Sequence, residues 1–303
     1  MNSLILNKAT FYRNIKDYKF SHKLSAEQKQ EIVNKLTSAL GNDYSLLTLN
    51  NLDFKILNYL NENALIDQNS SLIFLHKHQP ICVDLFNGEH LSIVSTGDDC
   101  FNKANELVQK IQNKISLAYS DDYGYLMSNL NFLGAGIKLE AILCLDAISG
   151  INKFSQVKQN ISMLGYAINT TSITNCFNIS TRCTLGFSEI EIYNNFTSTI
   201  SKLNDLEVES IKMLDVTKHD EILDNVNRSS AILNAAHIIN VEELTRHLIV
   251  LRTGLNLGYN CINLNALNSL QKLVINKKNH TTKEECIALA KQVRNILKGE
   301  NNV

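Results

Sequence analysis

The sequence predicts an α+β fold in two parts, on the basis of two features. Up to about residue 220, segments with strand-like alternation are interleaved with amphipathic helical segments, whereas the apolar pattern after Asp220 is helical throughout. In the first part, the apolar runs on either side of Gln79–Pro80 predict a β-hairpin. We therefore expect one mixed domain over residues 1–220 and a helical domain over residues 221–303.

The composition restricts the classes of partner. A chain of 303 residues is long enough for one large domain or two. Its 29 basic and 30 acidic side chains give a net charge of −1, so we expect no nucleic-acid partner. No apolar run is long enough to span a bilayer, and the N-terminus is too short and too polar for a signal peptide. The seven cysteines lack a C-x-x-C pair, which indicates free thiols, no metal site and a cytoplasmic location.

Local signals place the elements of the first part of the chain. Residues 7–20 are compatible with an edge strand that carries exposed lysines. Ser25 and Gln28 form a capping box, in which each side chain bonds the backbone N–H of the other, and this box opens a helix to about Leu40. Periodicity then predicts a strand and a short helix within 44–66, a strand over 86–95 and an amphipathic helix over 101–118.

A glycine-rich segment, from Tyr123 to Ile148, organises the middle of the chain. It predicts a strand, a polar loop that contains Gly134 and Gly136, and then an apolar helix. The glycines allow positive φ or a close approach of the backbone to a ligand, and the helix N-terminus after them is a possible anion site. The same glycines also fit a plain turn, and the spacing alone favours that interpretation because a lone G-x-G is a weak signal.

Capping signals mark the helices in the rest of the chain. Residues 151–168 predict a helix that leads into a strand. Ser188 has the position of a helix N-cap. Thr282 and Glu285 form a second capping box, which opens a last helix that ends near Lys298.

Four segments resemble the bacterial protein-arginine kinases, a branch of the phosphagen (ATP:guanido) kinases. The family has GYLTACPTNVGTGLRAS-like residues where this chain has GYLMSNLNFLGAGIKLE, from Gly124. It has NIFQISNQITLGKSEEEI-like residues where this chain has NCFNISTRCTLGFSEIEI, from Asn175. The segment RNIKDYKF, from Arg13, resembles RNLKDFPF, and residues 228–258 resemble the family's helical C-terminal domain.

The resemblance covers nearly the whole chain and implies a fold, an activity and an assembly. The implied fold is an antiparallel β-sheet flanked by helices, followed by an all-α C-terminal domain. The implied activity is that of a kinase, a transferase that phosphorylates arginine from Mg-ATP. The implied assembly is a homodimer formed through the C-terminal helices. A candidate dimer surface, which equally fits an internal core, consists of Leu248, Leu251, Leu255 and Leu257.

The positions that carry the chemistry of this family are changed in the present chain. Asn129 stands at the position of the reactive-site cysteine, and Glu89 stands at that of an aspartate. In an ungapped alignment, the two residues before Glu89, Asn87 and Gly88, stand where the family has paired glutamates. With a one-residue gap, Asn87 matches the asparagine of the family and one acid is still missing. Arginine binds phosphate through two parallel hydrogen bonds, which lysine cannot form. The five family arginine positions that align carry other residues: Lys8, Thr10, Ser92, Lys138 and Met163.

Three functions are compatible with a retained framework and altered chemistry. We expect a pseudokinase that needs no cofactor and acts as a binding or regulatory protein for a protein partner in the cytosol, with no membrane association. The alternative is an active protein arginine kinase that uses Mg-ATP in a rebuilt site. A third interpretation is a binder of another small ligand in the former nucleotide cleft. The candidate catalytic positions are Glu89 and Asn129, and the candidate nucleotide-binding residues are Lys8, Arg13, His90, Lys138 and Arg182.

Overall fold

A computed structural model describes residues 3–171, 173–275 and 282–299. The predicted helical region 221–303 therefore includes residues 276–281 and 300–303, which lie outside the described part. The strands are β1 (Leu4–Arg13), β2 (Tyr44–Thr48), β3 (Leu72–His76), β4 (Ile81–Leu85), β5 (Leu91–Thr96), β6 (Tyr119–Ser120), β7 (Gly124–Tyr125), β8 (Ile137–Cys144), β9 (Tyr166–Thr170) and β10 (Cys176–Thr181). The helices are α1 (Ala26–Leu40), α2 (Phe54–Glu62), α3 (Cys100–Gln112), α4 (Asp146–Gly150), α5 (Phe154–Met163), α6 (Glu189–Ala235), α7 (Val241–Asn256), α8 (Leu264–Ile275) and α9 (Lys283–Leu297).

The main sheet confirms the predicted α+β class. Its strand order is β2-β3-β4-β5-β1-β8-β10-β9, and β1 to β5 pair with one another in antiparallel fashion. The interpretation of residues 7–20 as an edge strand is wrong, because β1 lies between β5 and β8. β1 has buried residues on both of its faces, such as the successive Ile5 and Leu6, as expected of a central strand that is covered on both sides.

The described residues fall into two compact units. The first unit lies within Met1–Leu6, Ala141–Ile179 and Thr199–Val303, and the second lies within Asn7–Glu140 and Ser180–Ser198. Helix α6 runs through position 220, and the domain division predicted there stays a prediction. The helical C-terminal region that was predicted from the apolar pattern is confirmed by α6 to α9.

Short-range signals predicted much of the second unit. Ser25 and Gln28 form the expected capping box of α1, and β3 and β4 form the expected hairpin. The strand predicted over 86–95 begins instead at Leu91, because the residues before it form the turn between β4 and β5. Phe86 and Gly88 in that turn both have positive φ, of 61° and 86°, which is incompatible with a strand. The helix predicted over 101–118 ends at Gln112.

The apolar helix predicted at the end of the glycine-rich segment is wrong. Residues 137–144 form strand β8, in which buried Ile137 and Leu139 alternate with half-buried Lys138 and Glu140. This period of two is the strand signal, and it is obscured because the second half of β8 is buried on both faces. The α4 helix follows, and its first N–H groups, those of Ala147 and Ile148, donate to the Glu207 carboxylate.

The cysteines of the first unit correct one expectation, and two of its leucines decide between alternatives that the sequence left open. Cys144 and Cys176 form a disulfide, so the prediction that all cysteines are free thiols is wrong at these two positions. No local motif indicates this pair, because the two cysteines are 32 residues apart and lie in different strands. Leu248 and Leu251 of the candidate dimer surface are buried within this single chain, where they belong to the core.

Among the described residues, no helix is long and apolar enough to cross a membrane.

The disulfide determines how many cysteines can be alkylated before reduction, and it should contribute to the free energy of unfolding. Alkylation of the unfolded, unreduced protein should label five cysteines, and prior reduction should raise this number to seven, as counted by mass spectrometry. A Cys144→Ser/Cys176→Ser variant should lose about 3–4 kcal/mol of unfolding free energy, because the unfolded chain is no longer cross-linked. Cys183→Ser, at an exposed free cysteine, is the control. Seven labelled cysteines without reductant would show that the disulfide does not form.

Candidate functional site

A cavity of about 360 Å³ opens at the centre of the second unit. Its floor is made by β1, where Lys8, Thr10 and Tyr12 alternate and so face the same side of the sheet. The antiparallel register places Ser92 opposite Tyr12, which brings β5 into the same floor. Tyr12 stacks on Phe132, with 4.5 Å between the ring centroids, and this contact forms one wall.

The cavity brings together most of the positions that the sequence singled out. These positions lie in four separate segments, yet they all line the cavity: Lys8, Thr10, Asn87, Gly88, Glu89, Ser92, Asn129 and Lys138. Met163 does not join them, since it is exposed at the end of α5 in the first unit. The positions that the resemblance marks as changed, apart from Met163, therefore lie in one place.

Carboxylates outnumber cations in the cavity lining. The acidic groups are Asp67, Asp84, Glu89 and Glu140, whereas the basic groups are Lys8 and Lys138. The Lys138 Nζ atom lies 2.8 Å from the Glu140 Oε1 atom, so this ammonium is already engaged. Burial raises the pKa of Asp84 above its usual value. The lining still carries an excess of negative charge.

An amide joins two of the carboxylates in one wall. The Asn87 Nδ2 atom donates to both oxygens of Asp67, at 3.0 Å, and to the Asp84 Oδ2 atom, at 2.8 Å. Ser70 Oγ donates to the same Asp84 oxygen at 2.6 Å. The other oxygen, Asp84 Oδ1, is buried and has no hydrogen-bond partner among the described residues. A carboxylate at position 87 would repel both aspartates, whereas the amide links them.

Sequence reasoning missed Asp67 and Asp84 as cavity residues. Asp84 is a polar residue inside the apolar strand β4, and this interruption was a usable signal. Asp67 lies in a surface turn with Asn69 and Ser70, and nothing in its local sequence indicates a site.

The Glu89 carboxylate is buried and holds the rim of the cavity. It accepts hydrogen bonds from Asn14 Nδ2 at 2.6 Å, from Ser128 Oγ at 2.8 Å and from the backbone N–H of Asn129 at 3.0 Å. The backbone N–H of Ser128 also donates to it, at 2.9 Å. Asn129 in turn caps the short turn that follows, because its Oδ1 atom accepts from the Asn131 N–H at 3.1 Å. Both candidate catalytic residues are thus engaged in fixing this turn.

Arg13 lies on the opposite side of β1 from the cavity. It follows Tyr12 directly, and successive side chains of a strand point to opposite faces. Its buried guanidinium donates to the carbonyls of Tyr12 and Gly136, at 2.7 and 3.0 Å, and pairs with Glu189. The Tyr125 ring covers it, with the guanidinium carbon 3.7 Å from the ring centroid. Burial lowers the pKa of Arg13, and the Glu189 carboxylate opposes that shift.

His90 and Arg182 also lie outside the cavity lining. His90 is fully buried, and its Nδ1 atom accepts from the Ile15 N–H at 2.9 Å. Its Nε2 atom must then carry the proton, which it donates to the Lys19 carbonyl at 2.7 Å. Burial lowers the pKa of His90, in keeping with a neutral ring. Arg182 is exposed, after the end of β10. Of the candidate nucleotide-binding residues, Lys8 and Lys138 line the cavity.

Comparison with known proteins settles the family. The model of the ATP:guanido phosphotransferase C-terminal catalytic domain matches residues 5–210. The chain belongs to this family. A protein-arginine kinase of Staphylococcus haemolyticus is 24% identical over 305 residues, covering 94% of this chain and 90% of the relative. A protein-arginine kinase of Staphylococcus epidermidis is 24% identical over 278 residues, covering 84% of this chain and 81% of the relative.

Solved structures of phosphagen kinases share the fold. Lombricine kinase matches with a TM-score of 0.58 and 16% identity, covering 68% of this chain and 67% of that chain. The duplicated taurocyamine kinase of Schistosoma mansoni, with bound transition-state-analogue components, matches with the same TM-score and identity. It covers 68% of this chain, which spans about a third (32%) of the duplicated kinase. The antiparallel sheet flanked by helices is the fold that the resemblance implied.

The hydrogen bonds of Glu89 predict a structural effect of its removal. Glu89→Gln replaces one of the two acceptor oxygens by an NH2 group, which cannot accept a hydrogen bond, and so leaves at least one of the donors from Asn14, Ser128 and Asn129 unsatisfied. We expect the unfolding free energy to fall by about 2 kcal/mol, measured by urea unfolding followed by circular dichroism. Glu106→Gln, at an exposed position of α3, is the matched control. Equal urea midpoints for the two variants would contradict the anchoring role.

Proposed function

We propose that this chain is a non-catalytic member of its family, a pseudokinase that works as a binding or regulatory protein without Mg-ATP. The observation that carries the proposal is the charge of the cavity. Four carboxylates and two lysines line it, and within the described part of the chain no arginine does. A triphosphate needs a cavity with more cationic than anionic side chains, because cationic donors must compensate its negative charge. The residues present do not fit a nucleotide.

The energies of the lost arginine contacts support a loss of phosphoryl transfer rather than a modest decrease in its rate. Phosphoryl transfer depends almost entirely on positioning and on electrostatic stabilisation of the phosphoryl oxygens. A hydrogen bond to a charged group contributes about 1.5–3 kcal/mol, and one transition-state arginine can contribute on the order of 10³–10⁵ in rate. Thr10 and Ser92, at two aligned arginine positions that line the cavity, are short and uncharged. They cannot supply such a contribution.

The active-kinase alternative would need the remaining groups to replace the lost ones. Lys138 is already paired with Glu140, and the oxygens of Glu89 already accept several protein hydrogen bonds. The Arg13 guanidinium is buried and donates to protein carbonyls and to Glu189. A rebuilt site would have to break these interactions, so the geometry favours the non-catalytic proposal.

The same cavity favours a small organic cation as its ligand. Asp67 and Asp84 line one wall, Glu140 lines another, and the volume of about 360 Å³ suits a small molecule. The carboxylates that line the cavity are acceptors for the N–H groups of an ammonium ligand. This is the specific form that we give to the interpretation of another ligand in the former nucleotide cleft.

We also propose a homodimer, a cytoplasmic location and a protein partner in the cytosol. The support is the family, in which the resemblance implies pairing through the C-terminal helices. Leu248 and Leu251 are buried in the chain itself, so the pairing surface must use other residues of those helices. Sedimentation equilibrium at micromolar concentration measures the assembly, and a monomer mass would contradict it.

The cavity charge predicts a pattern of ligand responses. Millimolar Mg-ATP should leave the melting temperature unchanged, and incubation with Mg-ATP and arginine peptides should yield no acid-labile phosphoarginine by mass spectrometry. Putrescine should raise the melting temperature, and Asp67→Asn should reduce that shift. The protein-arginine kinase of Staphylococcus haemolyticus, treated in parallel, is the positive control for the ATP arms. Phosphoarginine formation that is lost in a Lys8→Ala/Lys138→Ala variant would overturn the pseudokinase proposal.

A further inference from the structure

A second groove lies in the same unit, on the side of the sheet to which Arg13 points. Tyr125, Ala135 and Glu189, which surround the Arg13 guanidinium, also line this groove of about 530 Å³. One wall is the β6–β7 hairpin, residues 119–125, and the other is the segment 185–189 before and at the start of α6. Because Tyr12 and Arg13 point to opposite faces, the groove is separate from the cavity described above.

Aromatic rings are exposed on both walls of the groove. Tyr119 and Tyr123 of the hairpin are 58% and 57% exposed, and Phe187 of the facing segment is 57% exposed. Leu185 beside Phe187 is exposed as well. A single exposed apolar side chain is ordinary, but a contiguous patch of large ones marks an interaction surface.

Asp122 and Glu189 line the groove, and within the described part of the chain no lysine, arginine or histidine does. Because Glu189 forms an ion pair with the buried Arg13 guanidinium, the negative charge offered to a ligand is that of Asp122. The face of an aromatic ring carries partial negative charge. Exposed rings beside a carboxylate therefore attract a cation both through the ring face and through the carboxylate charge. An acidic partner would be repelled, and a purely apolar one would leave the Asp122 carboxylate partly desolvated without a bond.

The floor of the groove is held rigid by backbone contacts. Tyr125 and Gly134 exchange hydrogen bonds, at 2.8 and 3.3 Å, and Thr184 Oγ1 donates to the Leu133 carbonyl at 3.0 Å. A Cβ atom on Gly124 would lie 2.6 Å from the Gly134 carbonyl oxygen, which shows how closely the two strands approach. A preformed floor lowers the entropy that a partner must lose on binding.

We propose that this groove is a docking surface for a basic polypeptide segment. A lysine or arginine side chain of the segment lies over the exposed rings of Tyr123 and Phe187, and its charge is met by Asp122. The groove is open along its length and has a ring on each wall, which suits an extended chain with cationic side chains better than an enclosed small molecule. The surface is additional to the cavity and does not depend on its ligand.

Fluorescence anisotropy with a labelled peptide of alternating lysine and glycine tests this proposal. Lysine is used so that any residual recognition of arginine does not interfere. The intact protein should bind it saturably, with a dissociation constant below about 1 mM, and the affinity should fall when salt is raised. The same peptide with glutamate in place of lysine should not bind.

Variants in the groove and in the cavity show where the lysine peptide binds. The Tyr123→Ala/Phe187→Ala variant should bind the lysine peptide with about ten-fold lower affinity, and Asp122→Asn with about two- to five-fold lower affinity. Leu130→Ala, at an exposed position outside the groove, is the matched control and should bind like the parent. Absence of binding, equal binding of the glutamate peptide, or a loss caused by Asp67→Asn in the cavity rather than by the groove variants would each overturn the proposal.

Discussion

The buried guanidinium of Arg13 is the constraint on which the second unit depends. A buried charge is tolerated only when it is paired and hydrogen-bonded, because an isolated one costs several kcal/mol. Arg13 meets this condition through the Tyr12 and Gly136 carbonyls and the Glu189 carboxylate. The buried guanidinium also requires glycine at position 136. Gly136 has a φ of 62°, and a Cβ atom there would lie 2.7 Å from the Arg13 Nη1 atom. β1, the glycine loop and the start of α6 are fixed together by one side chain.

That constraint also explains how the framework and the chemistry could diverge. Once Arg13 fixes the orientation of β1, the pleat of the strand sends Tyr12 and Thr10 into the cavity whatever else lines it. Glu89 acts in the same way on the opposite rim, where it holds the turn at Asn129. Arg13 and Glu89 thus serve packing and loop geometry, whereas four of the five positions that the resemblance aligns with arginines, those other than Met163, face the cavity.

Local patterns predicted the fold better than they predicted the site. Capping boxes, the β3–β4 hairpin and the C-terminal helices depend on neighbours in sequence, and these predictions are confirmed. The strand β8 was missed because a strand covered on both faces loses its period of two. The role of Arg13 was missed because its carboxylate partner, Glu189, is 176 residues away. The disulfide of Cys144 and Cys176 likewise joins residues that are distant in sequence. Asp84 could have been found, because it interrupts the apolar strand β4, whereas the turn that holds Asp67 has no local signal of a site.

We propose that the charge of the cavity, and not the loss of the fold, prevents nucleotide binding. Isothermal titration of Mg-ATP into the parent protein and into a Thr10→Arg/Ser92→Arg variant tests this directly, because both positions line the cavity. We expect no detectable heat for the parent and measurable, salt-sensitive binding for the variant, with circular dichroism confirming that both are folded. Micromolar binding of Mg-ATP by the parent would show that the cavity charge does not exclude the nucleotide.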